Sequence, residues 1–180
     1  MKKPVSILIM DVTNSSNNWK EIIGYLEEVE GITQKWTRGL PSAKVKHRLG
    51  DEMVGIFDHF STAYTIAFYI SQLWKYREQP PYFGITFGTV EEDIKHIDLD
   101  KWNHPLMGLA RSANDKIKHS VQRTSILFLP EGELMTKPSL DMANLLLAYQ
   151  QKLMSEQTEL QHLIMKLFTI LDEQKAIARL

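Results

Sequence analysis

Asp11 directly follows the apolar run Val5-Ser6-Ile7-Leu8-Ile9-Met10, and Asp51 stands beside Glu52 in Arg48-Leu49-Gly50-Asp51-Glu52. A run of strand length that is apolar at successive residues can be buried on both faces of a sheet. The carboxylate that ends it then stands at the mouth of the sheet, where ligands bind. Gly50-Asp51 lies between two further strand-like runs, Lys44 to Leu49 and Met53 to Phe57, and reads as the tip of a hairpin carrying a second acid pair. A hairpin laid beside the first strand brings Asp11 and Asp51 to one point. Two carboxylates held close repel unless a cation sits between them, and the usual occupant is Mg²⁺ (or Mn²⁺) with a nucleotide phosphate. Asp11 and Asp51 are therefore the expected metal ligands, with Glu52 beside them as the second acid of the hairpin pair. Each piece also has a plainer use, because Asp at a strand end caps helices and Gly-Asp suits an ordinary hairpin turn.

Other polar clusters carry less. His96, Asp98, Asp100 and His104 form a His/Asp-rich stretch whose irregular spacing fits a solvated loop better than a metal site. Trp19, Trp36, Trp74 and Trp102 have no basic cluster beside them, which favours core or interface positions over base stacking. Lys116-Ile117-Lys118-His119 reads as a solvated helix end favourable to the helix dipole.

The elements that must position the acids alternate between strand and helix. After the first strand, the polar stretch Val12 to Asn18 favours a turn and a helix cap. Trp19, Ile22, Ile23, Leu26 and Val29 then recur at helical spacing, and Gly39 with Pro41 ends that region. The hairpin is followed by a helix from about Ser61 to Arg77, which Pro80-Pro81 terminates. Tyr82 to Val90 reads as a strand whose Gly84 and Gly88 imply a bulge or a close backbone approach. An acidic loop from Glu91 to His104, a helix from Leu106 to Lys118 and a strand from Thr124 to Leu129 complete an α/β, α+β layered domain with a mixed sheet. Beyond Pro138 the Leu- and Met-rich sequence predicts helices over 139–154 and 156–171 and a third from Asp172.

Composition bounds the function. A chain of 180 residues, 43% hydrophobic, can bury one good core, so one main domain with a small appendage is expected. A formal net charge of -1 gives no overall field for nucleic acid or an anionic membrane. The absence of cysteine excludes disulfides, thiolate zinc sites and thiol nucleophiles. No signal-peptide core and no membrane-spanning run is visible, so a soluble, cytoplasmic protein is expected.

Ile9-Met10-Asp11-Val12-Thr13-Asn14-Ser15, Leu49-Gly50-Asp51-Glu52, Phe83 to Val90, and His104-Pro105 leading to Ala110-Arg111 resemble, in order and spacing, the bacterial SatD family. That family is similar to class III nucleotidyl cyclases and, more distantly, to GGDEF and CRISPR polymerase palm domains. The resemblance covers most of residues 5–130. It implies a ferredoxin-like palm domain of nucleotidyl-cyclase type over 1–133, with a mixed, mainly antiparallel sheet, and a helical extension over 139–180. In the cyclases two aspartates hold two Mg²⁺ ions that bind the triphosphate and activate the ribose hydroxyl. Asp11 and Asp51 match them by position and Glu52 resembles the acid after the metal ligand in GGDEF-type turns, so the resemblance implies Asp11, Asp51 and Glu52 as catalytic acids. The resemblance also implies backbone groups of Val12 and Thr13 at a phosphate, and Lys46, His47 and Arg111 at the nucleotide. The expected base-recognising lysine falls on His47, with Lys46 one residue further away. The expected Asn and Arg of the cyclase helix fall near Gly108 and Ser112, with Arg111 one position, about 100° on a helix, out of register. These departures argue for a degenerate site that binds Mg²⁺ and a nucleoside triphosphate and signals to the helical module. The alternatives are an active nucleotidyltransferase or cyclase, and an interaction or DNA-binding module without ligand.

SatD-like proteins often continue into a helix-turn-helix, and Gln174 to Leu180 resembles the first helix of one. DNA reading in transcription regulation would then need a recognition helix beyond residue 180. Two origins stay open for this segment: a piece of a longer DNA-binding protein, or helices that serve only packing and dimerisation. The apolar residues between Leu145 and Leu171 outnumber what one small domain covers, which implies a homodimer or another partner.

Overall fold

A computed structural model describes residues 2–15, 19–40, 42–48, 50–121 and 124–177, with side chains as far as Thr169. Ser16 to Asn18, Pro41 and Leu49 of the sequence motifs lie outside the described residues. The elements follow in the order β1 (Lys3–Val12), α1 (Trp19–Trp36), β2 (Ala43–His47), β3 (Met53–Phe57), α2 (Thr62–Leu73), β4 (Pro81–Val90), α3 (Pro105–His119), β5 (Ile126–Phe128), α4 (Lys137–Ser155) and α5 (Glu159–Ile177). One sheet of order β2-β3-β1-β4-β5 holds all the strands, antiparallel throughout except for the parallel pair β4 and β5. The first four strands and two helices thus have the split β-α-β order of ferredoxin-like domains. A further crossover through α3 adds β5.

The apolar run of β1 is buried on both faces, as its continuous hydrophobicity requires. Leu8, Met10 and Val12 pack under α1 and α2 with Met53 and Phe57. Val5, Ile7 and Ile9 pack on the other face with Val54, Ile56 and the α3 residues Leu106, Met107 and Ala110. Ser6 is the buried polar exception in β1. Its hydroxyl donates to His59 O at 2.6 Å and accepts the Ala63 N–H at 3.2 Å, serving the α2 N-terminus where Ser61 makes no side-chain cap.

Gly84 acts by close approach, without a bulge: β4 pairs with β1 in unbroken register, and a Cβ at Gly84 would lie 2.2 Å from Ala110 O. The stretch 91–104 is more ordered than a solvated loop. It contains a 3-10 turn at Ile94–His96 and buries Ile94, Ile97 and Leu99 in the α3-side core. Three apolar residues spaced too irregularly for a helix or strand gave no periodic signal.

Both sheet edges are closed by helix side chains rather than left open for pairing. On β2, Glu30 of α1 accepts the His47 N–H at 2.9 Å and Gln34 donates to Val45 O at 3.4 Å. On β5, Asn144 of α4 accepts the Phe128 N–H at 2.8 Å and donates to Phe128 O at 3.2 Å. The expected helix start at Asp172 is corrected: α5 runs unbroken to Ile177, because Leu171-Asp172-Glu173 contains no glycine or proline to stop it. Gln174 to Ile177 therefore continue α5, and the remainder of the anticipated helix-turn-helix segment lies outside the described residues. No helix among the described residues is long and apolar enough to cross a membrane.

Candidate functional site

The register places the acids as the strand order demands. Asp11 is the penultimate residue of β1 and lies opposite Tyr82 at the start of β4, while Met10 lies opposite Met53 at the start of β3. The tip of the β2-β3 hairpin therefore projects beside Asp11. Gly50 adopts φ 98°, a left-handed conformation that suits glycine, and Trp19 of α1 would lie 3.8 Å from a Cβ placed there. His47 closes the tip through Nε2 to Gly50 O at 2.8 Å.

Asp11 and Asp51 converge within hydrogen-bonding reach of each other. Burial pushes the Asp11 carboxyl up from 3.8 to about 6, and the charge of Asp51, with a hydrogen bond that protonated Asp11 donates to it, adds to the effect. Lys118 near the end of α3 and the Tyr82 hydroxyl, which donates to Asp11 Oδ2 at 3.2 Å, act in the opposite direction. Tyr82 and Lys118 are the residues that sequence reasoning missed. Tyr82 had a signal in its position as first residue of the predicted strand from Tyr82 to Val90, but its place opposite Asp11 comes from the pairing. Lys118 had none, because only the approach of α3 to Gly84 aims its end at Asp11.

The other expected site residues are used differently. Glu52 turns to Arg48 at 3.3 Å and to Arg111 at 3.6 Å, so Arg111 does reach the hairpin tip from α3 but is engaged with a carboxylate there. Lys46 pairs with Asp100, and each holds the other in its charged form. Lys44 donates to Ile97 O and Arg48 to Leu99 O, so three alternate cations of the β2 strand and hairpin pin the 91–104 segment. The Thr13 N–H is bonded to Pro80 O at 3.2 Å, and the Val12 side chain is buried in the α1-side core. The His/Asp-rich stretch is dispersed: His104 caps α3 and stacks on Trp102, and Asp98 caps the Asp100 N–H. A groove of about 850 Å³ between α1, β2 and Lys95 to Leu99 includes neither Asp11 nor Asp51.

Among the described residues no group of three or more His, Cys, Asp or Glu side chains could enclose a metal ion. A site built from two carboxylates suits an ion that takes its remaining ligands from phosphate oxygens and water, which is how Mg²⁺ is commonly held beside nucleotides. The raised Asp11 carboxyl fits such a site, because a cation between the acids would relieve the repulsion that raises it. Comparison with protein-family models and with curated proteins gives no match.

Proposed function

We propose that this chain is a SatD-like regulatory protein whose palm-type domain holds Mg²⁺ (or Mn²⁺) and a nucleoside triphosphate at Asp11 and Asp51 and passes that state to its C-terminal helices. The observation that carries this reading is the convergence of two partly buried carboxylates at the end of the sheet. Bound there, the ion would neutralise the acids and the phosphates together. Tyr82 orients Asp11, Lys118 adds positive charge to its surroundings, and the hairpin tip, closed by His47 on Gly50 O, positions Asp51.

Binding without efficient turnover is favoured by the arginine arrangement. A phosphoryl-transfer site gains on the order of 10³ or more in rate from a cation aimed at the transferred group. Arg111 is instead paired with Glu52. The link to the extension is physical: Asn144 of α4 bonds β5, Gln151 accepts the Ser125 N–H just before it, and Leu147 packs against the α1-side core. The many exposed apolar residues of α4 and α5 support a homodimer as the working form, with DNA contact dependent on further sequence.

Incubation with Mg²⁺ or Mn²⁺ and each nucleoside triphosphate, followed by product chromatography and thermal unfolding, tests the reading. A rise in melting temperature without product is the expected result. Turnover abolished by Asp51→Asn would establish the nucleotidyltransferase alternative, and no effect of any metal or nucleotide would leave only an interaction module.

A further inference from the structure

α4 is uncharged over Met142 to Gln151, and Asp141 and Lys152 bracket this stretch with opposite signs. Its inner face is committed to the domain: Asn144 bonds β5, Gln151 accepts the Ser125 N–H just before it, Leu147 packs on the core, and Gln150 accepts from the Tyr64 hydroxyl at 3.1 Å. Its outer face carries Met142, Leu145, Leu146, Tyr149 and Leu153, at the three- and four-residue steps of one helix stripe, and every one of them is exposed. Asp141 and Lys152 are exposed along one edge of that stripe, next to Leu145. Five apolar residues of α5, from Leu160 to Phe168, are exposed as well, and the two sets meet at a groove lined by Leu153 and Ile164.

Each of these ten side chains is between 49% and 66% exposed. Together they leave on the order of 1,000 Å² of apolar surface uncovered, above the roughly 300–600 Å² of an ordinary monomer's largest patch and near the roughly 800 Å² per partner of a standard interface. We infer that this surface is covered by a second copy of the chain, docked through α4 in antiparallel orientation about a two-fold axis near Leu146. The inference rests on the homodimer reading above and names its interface.

Two observations select this partner and orientation. A second copy cannot readily join by extending the sheet, because Glu30 and Gln34 occupy the β2 edge and Asn144 the β5 edge. The charges bracketing the stripe then fix the direction. An antiparallel copy sets Asp141 of each chain beside Lys152 of the other at both ends, whereas a parallel copy sets like against like. Lys152 also lies 3.9 Å from Glu156 of its own helix, an exposed pair weak enough to yield to an intermolecular one.

Sedimentation equilibrium of the whole chain, with circular dichroism to verify folding, tests the interface. The wild-type chain is expected to be a dimer, and Leu145→Asp, at an exposed position, should weaken it at least tenfold while leaving the helical signal unchanged. Asp141→Lys and Lys152→Asp should each weaken self-association, and the double exchange should restore it. An equimolar mixture of the two single variants should form heterodimers, read by native mass spectrometry. A dimer indifferent to Leu145→Asp and to the charge exchanges would overturn this interface while leaving a homodimer through another surface. A wild-type monomer at every concentration would overturn both, and neither result touches the metal and nucleotide site.

Discussion

Replacing Asp11 by Asn should stabilise the metal-free protein at neutral pH. In the folded chain the Asp11 carboxyl titrates at about 6 against an ordinary 3.8, first through burial and then through Asp51. The fold therefore prefers the protonated form. This preference contributes fully below the unfolded value and is lost as pH rises through about 6, so stability falls with pH across that window. A rise from 3.8 to about 6 corresponds to about 3 kcal/mol for a fully buried group. Solvent reaches Asp11, and screening reduces the cost of its charge at pH 7.5 to about 1–2 kcal/mol. Asn is similar in shape, carries no charge and can still donate to Asp51. At roughly 2–4 °C per kcal/mol for a chain of this size, Asp11→Asn should raise the melting temperature by about 3–6 °C at pH 7.5 in chelator. At pH 4.5, between the unfolded and folded values, the gain should shrink to about a third, and it should vanish only below 3.8. Thermal unfolding followed by circular dichroism at both pH values measures it. A loss of stability at pH 7.5, or an equal gain at both, would refute the reasoning.

The neighbours of Asp11 make the next expectations. Lys118→Met and Tyr82→Phe each remove a group that lowers the Asp11 carboxyl, so each should move its titration above 6, read by carbon NMR of the side-chain carboxyl; an unmoved value counts against the site geometry. Gly84→Ala places a Cβ against the backbone of α3 and should cost on the order of 3 kcal/mol in urea unfolding, whereas a cost under about 0.5 kcal/mol would contradict the close approach. Arg111→Ala breaks only an exposed pair with Glu52 and should change stability by less than about 1 kcal/mol.

The residues that sequence alone placed correctly are those whose pattern is periodic or terminal. The unbroken apolar run before Asp11 identified β1, and Gly50-Asp51 identified the hairpin tip, because burial on two faces and turn conformation both restrict residue type. Gly84 was legible as a bulge or a close approach, and the unbroken β1-β4 register decides for the second. What stayed hidden depends on contacts distant in sequence. Lys46 and Arg48 are cations in any reading, and only the packing of Ile97 and Leu99 brings Asp100 and the nearby carbonyls to them. Lys118 looked like a solvated helix end, and its exposure agrees with that, yet its field reaches Asp11. The unbroken course of α5 past Asp172 follows from the lack of any helix breaker there, which a division into helices ending at Leu171 and starting at Asp172 overlooks.

Electron paramagnetic resonance of Mn²⁺ counts bound metal directly. Titrating wild-type protein, Asp11→Asn and Asp51→Asn with Mn²⁺, with and without a nucleoside triphosphate, should show one ion per wild-type chain, held more tightly with nucleotide at pH 7.5 than at pH 5, and lost in both variants. Equal Mn²⁺ binding by all three proteins, or none by the wild type at any nucleotide concentration, would contradict a metal and nucleotide site at Asp11 and Asp51.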